Sequence, residues 1–248
     1  MMSRDATAEV RTALAPGGTL RAAINFGNAV LAQKDPATQE ARGVSVDIAR
    51  ELASRLGVPL ALVTFDAAGK VFEALKGGAW DVAFLAIDPK RAAEIEFTAP
   101  YVIIEGSYMV RAESPLRAIE DVDRPGVRIA VGNGSAYELY LSRTIRHAEL
   151  VRAATGAESI EQFFREGLEV VAGVKSPLVR YARAHEGLRV MEGRFMAIEQ
   201  AMGTPKGRAA GASYLRGLVE ELKASGFVAD GLARSGQHDA MVAPAAPA

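Results

Sequence analysis

Three groups suited to holding an anion stand where apolar runs give way to helices. In "AIDPKRAAE" Asp88 and Pro89 have the form of an N-cap and first helical residue, which makes Arg91 the third residue of a short helix. In "VGNGSAYE" Gly132 and Gly134 precede Ser135, with Glu138 three residues on; this is a capping box at a helix start that presents backbone N–H groups. In "AGVKSPLV" Lys175 closes another apolar run, and Ser176-Pro177 reads as the cap and first residue of a further helix. Singly, each has an ordinary reading: a solvated arginine, a well-capped helix, a lysine reaching water. Together, a guanidinium, an ammonium and oriented N–H groups are the chemistry of carboxylate recognition.

Catalytic chemistry has less support. Cysteine is absent, no G-x-S-x-G elbow occurs, and His147, His185 and His238 lie far apart with no second histidine at helical spacing. The G-x-G of the Gly132 turn lacks a third glycine, and the next strand brings Arg152 where a dinucleotide site needs an acid. Glu105 and Glu199, in extended segments, remain open as general acids, although such residues are more often solvated or paired. The expectation is therefore no catalytic residue, no metal and no cofactor. The 29 basic and 30 acidic residues are interspersed, for a formal net charge of −1, which excludes a nucleic-acid or anionic-membrane footprint and leaves a small molecule as the partner. No run approaches the roughly 20 apolar residues of a membrane span. The N-terminus is charged and lacks an apolar h-region, so the chain as written reads as cytoplasmic, with the periplasm as the alternative if a signal peptide has been removed.

The elements that must position these groups follow from periodicity. Strands are expected over 20–26, 60–65 and 80–87, with helices over 45–56, where Ile48, Leu52 and Leu56 share a face, and over about 71–75. The order recurs: strands over 127–132, 149–153 and 169–174, and helices over 135–147 and 159–166. "FEALKGGAWDVAFLA" and "QFFREGLEVVAGV" share one pattern of amphipathic helix, glycine, acidic residue and buried strand, and Lys175 takes the place of Asp88 in that repeat. Nearly continuous apolar strands suit mainly parallel sheets covered on both faces, which bind ligands at their carboxyl ends. Two β-rich segments, 100–112 and 188–203, join the units, and a helix capped by Thr204-Pro205 runs to about Ser225. The chain is thus an α/β protein with a discontinuous first lobe (18–106 and 201–240), a second lobe (107–200), an N-terminal lead-in (1–17) and a disordered tail (241–248).

These residues resemble a family. "GVSVDIARELASRLGV" is similar to G-F-D-V-D-L-A, "DPKRAAEIEFTAPY" to T-P-E-R followed by D-F-S-x-P-Y, and "VRIAVGNGS" to V-A-V-x-x-G-S/T, with "YLRGLVEELKASGF" as the closing helix. The chain resembles the type II periplasmic binding proteins, specifically the family 3 solute-binding components of amino-acid ABC transporters. The resemblance implies two lobes that close over a ligand about two hinge strands, and an ABC-transporter permease as partner. It makes Arg91 the clamp on a ligand carboxylate, Gly134, Ser135 and Ala136 the helix start that binds the same group, and Asn25, Phe26 and Asn28 the lining of the ligand side chain. Phe84, Leu85 and Ala86 replace the family's polar S-G-x-T/S stretch and are expected as ligand-binding residues with Lys175, and Ala68 falls where an aromatic often covers the ligand. Lys175 stands where an aspartate commonly holds the α-ammonium, which disfavours a free α-amino acid and favours an organic acid, one with a second anionic group included. The expected function is a solute-binding protein for a small carboxylate. Two alternatives remain, a lyase resembling cyclohexadienyl dehydratase and a cytoplasmic ligand sensor.

Overall fold

The structure, a computed structural model, describes residues 6–247; the first five residues of the lead-in and Ala248 of the tail lie outside the described residues. The described chain falls into two units, one of residues up to Asp66, Lys70–Ile103 and Glu199 onward, the other of Ala67–Gly69 and Ile104–Ile198. The described remainder of the lead-in is part of the first unit's core. It forms helix α1 (Ala8–Leu14), capped by Thr7, and fully buries Leu14. Strand β1 (Leu20–Asn25) follows, then the short pair β2 (Gln33–Lys34) and β3 (Ala41–Arg42), and helix α2 (Val44–Leu56). Val44, Ile48, Leu52 and Leu56 bury one stripe of α2, each worth about 1.5–3 kcal/mol of transfer free energy. Strand β4 (Leu60–Phe65), helix α3 (Ala68–Ala74), strand β5 (Val82–Ala86) and helix α4 (Pro89–Ala92) complete the alternation. β4 and β5 both pair in parallel with β1, so the carboxyl ends of all three strands lie at one edge. Strand β6 (Ile95–Arg111) then carries the chain into the second unit between Ile103 and Ile104.

The second unit repeats the plan with β7 (Arg128–Gly132), α5 (Ala136–Thr144), β8 (Glu149–Ala153), α6 (Gly156–Arg165), β9 (Val170–Val174) and α7 (Lys175–Ala184). Here β8 and β9 flank β7 in parallel, while the second half of β6 runs antiparallel to β9. Its core joins Met109, Ala130, Phe163, Leu168, Val171 and Leu178. Strand β10 (Leu188–Val190) pairs with β6, and β11 (Met196–Pro205) crosses back to lie antiparallel to β5.

The last elements correct two expectations. Thr204-Pro205 does not cap a helix: both residues end β11, and the Thr204 Oγ1 donates to the Asp81 carbonyl at 2.9 Å, so a tertiary bond overrides a local capping signal. Helix α8 (Ala209–Ala224) starts later, and α9 (Phe227–Arg234) follows it. The tail expected to be disordered adds strand β12 (Met241–Val242), antiparallel to β6, and buries Ala243.

One device recurs in both units. In the first, Arg21 donates from its backbone N (3.1 Å) and Nε (2.9 Å) to Asp81 Oδ2, from Nη2 to Oδ1 (2.9 Å), and from Nη1 to the Gly78 carbonyl (2.6 Å). In the second, Arg128 donates from N (2.8 Å) and Nε (3.0 Å) to Glu169 Oε2, from Nη2 to Oε1 (2.8 Å), and to the Gly167 carbonyl (2.9 Å). Gly78 and Gly167 both have φ of 60°, the left-handed conformation that glycine adopts without Cβ penalty. The shared glycine and acid of the two sequence repeats are therefore one arginine pin that ties the start of the first strand to the start of the third. Counting from the acids, Lys175 lies opposite Ile87 and Ser176 opposite Asp88, one residue away from the sequence alignment.

Candidate functional site

In the first unit Arg91 sits as expected beyond the carboxyl end of β5. Asp88 caps α4 by accepting from the Lys90 N–H at 2.9 Å, and Pro89 opens the helix. Arg91 is not the solvated charge its sequence neighbours allowed: it is 1% exposed, and its Nη1 donates to the Ala86 carbonyl at 2.9 Å. A buried guanidinium is costly unless hydrogen-bonded, so a device for holding it, such as this carbonyl, marks a positioned group. At the end of β1, Asn25 Oδ1 accepts from the Gly27 N–H (2.9 Å) and Asn28 Oδ1 from the Val30 N–H (3.3 Å). Both amides thereby shape the turn that carries Phe26, over whose ring the Lys34 Nζ lies 5.3 Å from the centroid.

Phe84, Leu85 and Ala86 belong to the interior of β5. Their backbones pair with Met202, Ala201 and Gln200 of β11, and Phe84 packs edge-on against Tyr101 with centroids 6.1 Å apart. All three side chains are buried, and the large apolar side chain exposed at this strand end is Ile87. Sequence reading missed that because β5 stops one residue earlier than the apolar run.

In the second unit the turn between β7 and α5 makes one of the two bonds of the expected capping box: the Ser135 side-chain cap forms, but the Ser135 N–H donates to the Gly132 carbonyl and not to Glu138. Ser135 Oγ accepts from the Glu138 N–H (3.1 Å), while Glu138 Oε2 reaches back to the Gly134 N–H (3.2 Å). Glu138 is buried, and its Oε1 also accepts from Ser142 Oγ (2.7 Å) and Arg152 Nε (2.8 Å). The Gly134 N–H is thus taken by the protein's own carboxylate. Ala136 and its successor are the first helical residues, whose N–H groups have no acceptor within any helix. Arg152, which spoils a dinucleotide site, instead neutralises Glu138.

Lys175 needs a correction. It follows β9 directly, as expected, but Ser176-Pro177 does not cap the next helix: Lys175 is itself the first residue of α7, with Val174 as N-cap. Nor does it stand as a lone cation, because its Nζ donates to Glu105 Oε2 at 2.8 Å, and Glu105 Oε1 accepts from Arg194 Nη1 at 3.2 Å. No sequence signal joins these three residues, since Glu105 and Lys175 are 70 positions apart. The hydrogen bond from Lys175 outweighs the opposing effect of burial and holds the Glu105 carboxyl below the usual range, with Arg194 adding to it. Glu105 therefore stays ionised at neutral pH and has no proton to give as a general acid.

Among the described residues no group of three or more His, Cys, Asp or Glu side chains is placed to hold a metal ion, and no helix is long and apolar enough to cross a membrane. Fold and sequence pattern define a two-lobed α/β protein of the type II periplasmic-binding class. The chain belongs to the bacterial extracellular solute-binding proteins, family 3, whose family model matches residues 29–234. A search of curated protein sequences finds no match. Among solved structures the chain is similar to a mutant of ArgBP from T. maritima (TM-score 0.78, 19% identity, 92% of this chain and 100% of that one). It is similar to an amino acid ABC transporter substrate-binding protein from Streptococcus pneumoniae bound to L-arginine (TM-score 0.77, 18% identity, 94% and 99%). It is also similar to an ancestral amino acid-binding protein described as a precursor of cyclohexadienyl dehydratase (TM-score 0.74, 21% identity, 90% and 97%).

Proposed function

We propose that this solute-binding protein takes a small carboxylate-bearing solute and releases it unchanged, its two units closing about the crossing strands β6 and β11. Arg91 is the first unit's contact for a carboxylate, and the Ser135–Ala136 helix start and Lys175 are the second unit's own anion contacts. Asn25, Phe26 and Asn28 shape the adjoining surface. A permease of the ABC-transporter type is the partner this role calls for. The observation that carries the reading is Arg91 itself: a guanidinium 1% exposed, held by the Ala86 carbonyl at the carboxyl end of β5. Binding is favoured over a lyase because Glu105, one of the two acidic candidates of the crossing strands, is held ionised between two cations.

A thermal-shift screen of amino acids, keto acids, dicarboxylates and ring acids tests this. A ligand at 100 times its dissociation constant adds about 2.7 kcal/mol to stability. A carboxylate should stabilise the parent and not Arg91→Ala, and mass spectrometry should recover it intact. Turnover of the stabilising compound would make the protein an enzyme, and hits indifferent to Arg91 would remove the site.

A further inference from the structure

Resting on that reading, the charge arrangement of the second unit narrows the class of solute. Strands β7 and β9 are parallel neighbours with Ala130 opposite Val171. Continuing that register sets Gly132 beside Gly173, so the turn leading to Ser135 and the start of α7 at Lys175 share one edge of the sheet. At this edge Lys175 and Arg194 converge on Glu105, each with a third or more of its side chain exposed. Two cations share one carboxylate, which leaves one positive charge without a counter-charge in the cluster. Glu138, on α5, is buried and matched by Arg152. An ammonium group arriving here would meet a net cation. A second anionic group would instead complete the cluster, because Lys175 has three donors and uses one on Glu105.

We infer that Lys175, seated on Glu105 and seconded by Arg194, reads a second anionic group, so that the solute carries two anionic groups and no ammonium. Dicarboxylates and phosphorylated carboxylic acids share this chemistry. Glu105 is the positioning residue: it holds both cations in place and sets how much positive charge they show.

The test is calorimetric titration of the purified chain with succinate, glutarate and 3-phosphoglycerate against butyrate and the zwitterions alanine and γ-aminobutyrate. The same titrations are made on Lys175→Met and Glu105→Gln. The parent should prefer a dianion over the monoanion of matching length; succinate or glutarate against 3-phosphoglycerate tells which second group is taken. Lys175→Met brings the cluster to neutrality and should lower the dianion-to-monoanion affinity ratio about tenfold, the size of one charge-assisted hydrogen bond. Glu105→Gln adds a net positive charge and should raise that ratio, a change that a merely structural role would not produce. A zwitterion preferred by the parent, or a ratio unmoved by both variants, overturns the inference while leaving an Arg91-dependent carboxylate site standing. If no carboxylate binds in an Arg91-dependent way, the proposed function falls and this inference with it.

Discussion

The two arginine pins share a bonding pattern and differ in burial. Asp81 is wholly buried and accepts from Arg208 (Nη1, 3.0 Å) as well as Arg21, whereas Glu169 leaves 34% of its side chain in solvent and, among the described residues, pairs with Arg128 alone. One sequence repeat has thus been put to two energetic uses. In the first unit the pin draws in the segment after β11 that leads to α8; in the second it closes a strand pair at the surface. Buried charge makes a connection that is expensive to break, while solvent screens the exposed version to a small net effect.

The largest effect should come from Asp81→Asn. It strips a buried carboxylate from two guanidinium groups and should cost about 3–5 kcal/mol in urea unfolding. If the loss is below about 1 kcal/mol, the contrast between the pins is void. Arg208→Ala leaves the Arg21 bonds in place and should cost about 2 kcal/mol, the range for a hydrogen bond to a charged group. Ser135→Ala removes the side-chain cap of α5 and should cost about 1 kcal/mol. Glu169→Gln should come last, at about 1 kcal/mol or less.

Acid unfolding sharpens the same comparison. Burial alone would raise the Asp81 carboxyl, but hydrogen bonds from Arg21 and Arg208 outweigh it and hold it below its ordinary value. A depressed folded-state pKa contributes stability that is present above the unfolded value of about 3.9 and is lost as pH falls through the folded one. The parent should therefore lose stability across the acid range, and Asp81→Asn should flatten that slope. Glu169→Gln should flatten it less, because its lowering by the Arg128 hydrogen bond is a solvent-screened effect. Equal flattening by the two variants would contradict the account.

Local features were legible in the sequence because their partners lie within four residues. The Asp88-Pro89 helix start, the Ser135 to Glu138 cap, the α2 stripe and strand β8 all stand where periodicity and capping chemistry set them. The family resemblance, carried by several such local motifs together, was likewise legible. What could not be read depends on contacts across the chain. Arg21 finds Asp81 over 60 positions, and Lys175 finds Glu105 over 70. Thr204-Pro205 has the form of a helix cap, but the pairing of Gly203 with Ala83 and the bond to the Asp81 carbonyl keep the chain extended through it. Leu14 and Val242 likewise gave no local sign that the two ends of the chain join the first unit's core and β6.

Arg91 is the residue on which a carboxylate site in this protein most depends. The direct measurement is the dissociation constant of the tightest-binding carboxylate for the parent, Arg91→Lys and Arg91→Ala, each first shown to unfold cooperatively without ligand. Loss of a buried, hydrogen-bonded charge partner costs 2–5 kcal/mol or more, so Arg91→Ala should weaken binding about a hundredfold. Arg91→Lys keeps the charge but not the planar fork and should recover only part of the loss. A folded Arg91→Ala that binds the carboxylate as tightly as the parent would contradict the account.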